Sequence, residues 1–154
     1  DGLSNTVAFA EVVNGFGETA AENDPLADCF QGGGPTSSIE AARSAFLAKD
    51  WKTAQLQPWA PSGWRFRGYP WHEGTIWRNW YNHLLPPNSS CWNAGDWWNL
   101  VTPASSRHTG VVNLVNCDGS VQTVSDDIDP DVWLDSGTRA GSPEPPAPTG
   151  PGPR

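Results

Sequence analysis

The sequence predicts an α+β fold that is mainly β: an antiparallel sheet with one short helix and a long Trp-rich loop region. Three observations carry this. Asp118-Gly119 lies between two β-prone runs, 111–117 and 120–124, and Asp-Gly between apolar runs is a strong hairpin signal. Apolar residues recur at clear helical spacing over Ile39–Lys49. Sixteen glycines and fifteen prolines interrupt the remainder, five of those prolines and several of the glycines falling among the tryptophans of 51–98.

The hairpin comes first. A two-residue type I′ turn at Asp118-Gly119 sets Cys117 opposite Ser120, Asn113 opposite Val124 and Val111 opposite Asp126, and brings His108 near Asp129. Val112 and Leu114 fall on one face, Val111 and Val115 on the other. Such a sheet is covered on one face and partly covered on the other. Asn5–Val13 supplies a further strand, with Val7, Phe9 and Glu11 on one side and Ala8, Ala10 and Val12 on the other. Asn14–Gly34 is polar and Gly-rich, a loop. Ser37 with Glu40 forms a capping-box pattern before Ile39, Ala42, Phe46 and Leu47. Ile128–Leu134 reads as a short helix or turn starting near Asp129-Pro130, with Trp133 packed back on the sheet. Residues 142–154 are a Pro-rich tail, disordered or polyproline-like, which leaves 1–141 as a single domain.

Net charge is −8 and only 17% of residues are charged. Nucleic acid would call for a basic stripe, and anionic lipid for basic clusters. No apolar run approaches the roughly 20 residues that span a bilayer. The chain lacks an initiating Met and a visible signal peptide, so it reads as processed or excised, with export directed by residues outside it. Cys29 and Cys91 lie in polar, loop-like segments, whereas Cys117 ends an apolar strand. The preferred pairing is Cys29–Cys91 with Cys117 a buried free thiol, which implies an oxidising compartment. Three reduced cysteines are the alternative.

Several groups are candidates for chemistry. His108 either binds or transfers something, or hydrogen-bonds the neighbouring segment while Asp118 and Gly119 make the turn. Asp126, Asp127, Asp129 and Asp131 could offer oxygen ligands to Ca²⁺, but the spacing is not that of an EF-hand; a solvated acidic turn is the simpler reading. No other cofactor is indicated. Nine of the ten tryptophans fall in 51–98. Rings such as Trp64, Trp71, Trp77, Trp97 and Trp98 either line a groove that stacks on sugars or build the core of a chain poor in Leu and Ile. Arg65, Arg67 and Arg78 are interleaved and can stack on them. Ser105 and Ser106 near His108 form no Gly-x-Ser-x-Gly elbow, and His72, His83 and His108 have no zinc spacing. With no nucleophile, base and orienting group in sight, no enzyme is expected.

One resemblance spans the chain. His108 with nine intervening residues before Asp118-Gly119, then Trp133 and Gly137–Gly141 (GTRAG), follows an opening DGLSNT with Glu11 and a central Pro86-Pro87-Asn88-Ser89 near Cys91. That order resembles the prepilin-like family abundant in planctomycetes, once labelled a family-10 bacterial solute-binding domain. The resemblance implies an extracytoplasmic (secreted, cell-surface or periplasmic) type IV pilin- or pseudopilin-like head. Its partners would be copies of itself or other pilus or envelope subunits. A free-standing or truncated head is implied, because the family's long apolar N-terminal helix is not in this sequence. The expected function is a non-catalytic structural subunit of a filament or envelope assembly. A carbohydrate- or solute-binding module that uses the Trp-rich surface is the alternative.

Overall fold

Alternating side chains and one tight turn give the best-defined part of the molecule. The computed structural model describes residues 2–17, 22–35, 37–57, 65–95 and 98–141. Within it, β1 (Val7–Ala10), β5 (Val111–Asn116) and β6 (Val121–Ser125) form an antiparallel sheet in the order β1-β5-β6. A second sheet joins β2 (Cys29–Gln31), β3 (Cys91–Asn93) and β4 (Leu100–Val101), with β2 and β3 parallel and β3 and β4 antiparallel. Two helices, α1 (Ile39–Leu47) and α2 (Pro130–Ser136), complete an α+β, mainly β fold. The sequence indicated neither the second sheet nor its parallel pair. Its strands are two or three residues long and embedded among turns, too short to show a period.

The hairpin register differs from the expected one by a single residue. Asn113 pairs with Thr123 and Val111 with Ser125. The cause is a turn of three residues, Cys117, Asp118 and Gly119. Of these only Gly119 has positive φ, at 85°, so a type I turn is closed by a left-handed glycine. The Asp118 carboxylate accepts from the Ser120 amide at 2.9 Å and the Ser120 hydroxyl at 2.6 Å. These hydrogen bonds, the hydroxyl's first, hold that carboxyl down at about 2. Cys117 is free, but it is exposed on this turn and not buried.

The first strand is shorter than Asn5–Val13, and its alternation breaks. Val7 pairs with Asn116, but Phe9 pairs with Val115, so β1 carries a bulge at Ala8. The bulge turns Val7 and Ala10 inward and leaves Phe9 71% exposed. Val112, Leu114, Ala104 and Trp133 form the core beneath this sheet. Trp133 comes from α2, whose N-cap is Asp129; its carboxylate accepts from the Asp131 and Val132 amides.

Helix α1 is capped by Ser38, one residue later than the capping-box pattern suggests. Ser38 has extended backbone, and its hydroxyl accepts from the Ala41 amide at 3.1 Å. Only Ala42 and Phe46 of its stripe are buried; Ile39 and Leu47 stay exposed. Phe46 joins Phe30, Leu85, Trp92 and Val101 in a second core. The Cys29–Cys91 disulfide crosses the parallel pair beside that core.

Gly137 of the GTRAG segment has ordinary φ, so its glycine is a matter of space. A Cβ there would lie 2.5 Å from His83 Cγ. Gly137→Ala is expected to displace the His83 ring and cost about 1–3 kcal/mol, read as a lower melting temperature. An unchanged melting temperature would refute that contact.

Candidate functional site

The outer face of the β1-β5-β6 sheet brings together two of the residues that the sequence singled out, His108 and Glu11. Alternation places Val111, Asn113 and Val115 outward on β5. Asn113 is held from both sides. Its backbone N–H donates to Glu11 Oε2 at 2.8 Å and its amide to Glu11 Oε1 at 3.2 Å. The Thr123 hydroxyl donates to Asn113 Oδ1 at 2.8 Å. His108 completes the row: its Nε2 lies 3.4 Å from Glu11 Oε1. His108 therefore sits beside Glu11, not near Asp129. The turns at 107–110 take it out of the hairpin ladder and carry it to the β1 side. Burial pushes the Glu11 carboxyl up, but the Asn113 bonds and the nearby imidazole outweigh it, leaving the group below its usual value.

This arrangement ties strands together. The carboxylate is occupied by β5 before the imidazole reaches it. The two serines near His108 are also engaged. Ser105 Oγ accepts from the Val13 amide at 3.0 Å. Ser106 Oγ donates to the Val111 carbonyl at 2.6 Å and accepts from the His108 amide at 3.1 Å. Asp118 lies at the far end of the hairpin from His108, so the His-x9-Asp-Gly pattern spans a strand and does not assemble a pair. His108 is 58% exposed, and His108→Ala is expected to cost no more than about 1 kcal/mol. Glu11→Ala, which strands the Asn113 donors, is expected to cost about 1–3 kcal/mol. Urea unfolding of both variants checks this order; a costlier loss at His108 would reverse the assignment.

The acidic segment divides its carboxylates among separate tasks. Asp126 accepts from Asn88 Nδ2 at 3.2 Å, Asp129 caps α2, and Asp131 pairs with Arg43 at 2.7 Å. Asp127 is exposed. Among the described residues no three His, Cys, Asp or Glu side chains converge as metal ligands.

The tryptophans separate into two populations. Trp92 and Trp133 are buried and Trp51 packs against the core. Trp71, Trp80 and Trp98 are 79%, 59% and 72% exposed. Trp77 is half-buried, packed beside the disulfide and edge-on to Trp98 with ring centroids 5.6 Å apart. Trp64 and Trp97 lie outside the described residues. The arginines also divide. Arg78 lies over Phe66 and Arg65 over Phe16. Arg65 and Arg67 are nevertheless buried, and they clamp the segment before β2. Arg65 reaches the Glu22 carbonyl, Asn23 and the Asp28 carboxylate. Arg67 donates to the Leu26 and Pro103 carbonyls. Burial brings the Arg67 pKa down to about 10, which leaves it charged at neutral pH.

Sequence reasoning missed the parts played by four residues. Alternation puts Glu11 on a strand face but does not show its partners; a carboxylate ending an apolar strand is the available signal. Asn88 has φ 62°. Its Oδ1 accepts from the Ser106 amide at 2.9 Å, so the Pro-Pro-Asn-Ser segment is a left-handed corner bracing the loop before β5. Phe9 and Val121 emerge as exposed apolar residues only once the bulge and the register are known.

These features define a disulfide-linked, mainly β domain whose most distinctive polar cluster clasps strands. The family model SBP_bac_10, described as a protein of unknown function (DUF1559), matches residues 1–131, and the chain belongs to this family. Searches of curated proteins and of solved structures gave no match.

Proposed function

We propose that the protein is a non-catalytic, extracytoplasmic structural subunit, a pilin- or pseudopilin-like head that works through protein contacts in a filament or envelope assembly. The observation that carries this reading is the use made of His108 and Glu11. Glu11 ties the end of β1 to β5 by accepting from Asn113 at 2.8 Å and 3.2 Å, and His108 lies against that same carboxylate at 3.4 Å. The Cys29–Cys91 disulfide supports an oxidising location. No helix among the described residues is long and apolar enough to cross a membrane. Cell fractionation with thiol labelling tests the placement. The chain should appear outside the cytoplasm with Cys117 as its one alkylatable thiol; a cytoplasmic protein with three free thiols would refute it.

A second reading rests on the exposed rings of Trp71, Trp80 and Trp98. Exposed indoles stack on sugar faces, and large apolar surface is rarely left open without a use. This surface would make the protein a carbohydrate-binding module. A glycan array settles it: binding lost in both Trp71→Ala and Trp98→Ala favours this reading, and no bound glycan removes it.

A further inference from the structure

Among the described residues the β1-β5-β6 sheet ends in an open edge. β6 pairs with β5 alone among the described strands. The Asn116 amide donates to the Ser120 carbonyl and the Asp126 amide to the Gly110 carbonyl, both at 2.9 Å. In an antiparallel ladder that alternation turns Gln122 and Val124 toward β5 and aims the backbone groups of Val121 and Thr123 outward. Folded proteins usually blunt such an edge with a charge, a proline or a bulge. The strand VQTVS has none of these. Beside it, Phe9, Val115 and Val121 stand in one cross-strand row on the outer face. Phe9 and Val121 are each 71% exposed.

Charge lies at the ends of the edge. Asp118 is exposed on the turn before β6, and Asp126 and Asp127 follow it. The chain as a whole carries −8. A second copy adding antiparallel would bring its own Asp118 against Asp126 and Asp127, which is repulsive. We propose that the β6 edge is a strand-addition site for an extended peptide segment of another protein that carries positive charge at both ends and apolar side chains between. Main-chain hydrogen bonds to Val121 and Thr123 supply affinity, the Phe9–Val115–Val121 row receives the apolar side chains, and the terminal carboxylates select the charge. This goes beyond the subunit reading by naming a surface and a partner chemistry; it rests on that reading only for the idea that the protein works through contacts.

The capped peptide Lys-Thr-Val-Thr-Val-Thr-Lys is the probe, with Glu at both ends as its control. The expected result is saturable binding of the Lys peptide, about tenfold or more tighter than the Glu peptide at low salt, with the gap closing at high salt. Amide exchange should slow at Val121 and Thr123. Thr123→Pro removes an outward donor and should abolish binding. Val121→Lys, at an exposed side chain, should weaken it about tenfold with the melting temperature unchanged. Equal binding of both peptides, unslowed exchange at β6, or protection of β6 by dimerisation of the protein alone would overturn the proposal. Peptide binding without any surface assembly would sink the subunit reading and leave this one standing. Assembly with β6 still exchanging would do the reverse.

Discussion

Replacing Cys29 and Cys91 together by alanine is expected to remove about 4 kcal/mol of stability. The two cysteines are 62 residues apart in sequence, and closing a loop of that length restricts the unfolded chain by about this amount. The local setting makes the loss matter. β2 and β3 are three residues each, and parallel strands so short have little ladder to hold them. Cys29 and Cys91 are directly paired and fully buried, so the link fixes the register of the second sheet. The segment that enters β2 ends at this link and is otherwise held by Arg65, Arg67 and Arg107, which contact Glu22, Leu26 and Asp24. Thermal unfolding with and without reductant checks this. The reduced protein and the double variant should both melt well below the oxidised one. Coincident melting curves would show that the second sheet holds without its link.

Trp133→Ala is expected to cost about 3–5 kcal/mol, the range for emptying a large aromatic site. Trp133 is 1% exposed and is the largest fully buried side chain among the described residues. Its Nε1 donates to the Leu85 carbonyl at 2.8 Å, so the ring joins the two cores. Trp133→Phe should recover part of the loss by refilling the space without the hydrogen bond. His83 lies on the same ring at 4.0 Å, and its Nδ1–H donates to the Trp133 carbonyl at 2.9 Å. Burial lowers the His83 pKa below 6.5, and the bond to Trp133 only partly offsets it. The folded state thus holds this proton less tightly than the unfolded chain. The associated stability is complete above the unfolded value and is lost as pH falls below it. Urea midpoints should drop between neutral pH and mild acid, and His83→Phe should flatten that slope. A slope unchanged in His83→Phe would assign it to other groups.

What could be read in advance follows the range of the interactions. The hairpin, α1 and the capped turn into α2 were legible because each depends on neighbours in sequence. The register was not, because Asp-Gly fits both a two-residue and a three-residue turn. The ordinary φ of Asp118 and the pairing of Val115 with Val121 distinguish them here. Alternation alone puts Phe9 on the same face as Val7, because a bulge has no periodic signature. The second sheet rests on Cys29, Phe30 and Trp92 meeting across a long interval, which local patterning does not encode. The candidate site divides the same way. His108 and Glu11 were both conspicuous, but the contact between them required β1 to lie against β5. The tryptophans were visible as a group, yet their division into Trp92 and Trp133 inside and Trp71, Trp80 and Trp98 outside depends on which loops cover which core.

Electron microscopy of material sheared from the cell surface, with the chain carrying a gold-labelled tag, puts the central claim to its most direct test. Regular labelling along filaments or a surface array, retained in His108→Ala, is the result a structural subunit predicts. Label confined to soluble single molecules, together with a biological activity that disappears in His108→Ala at unchanged melting temperature, would contradict it.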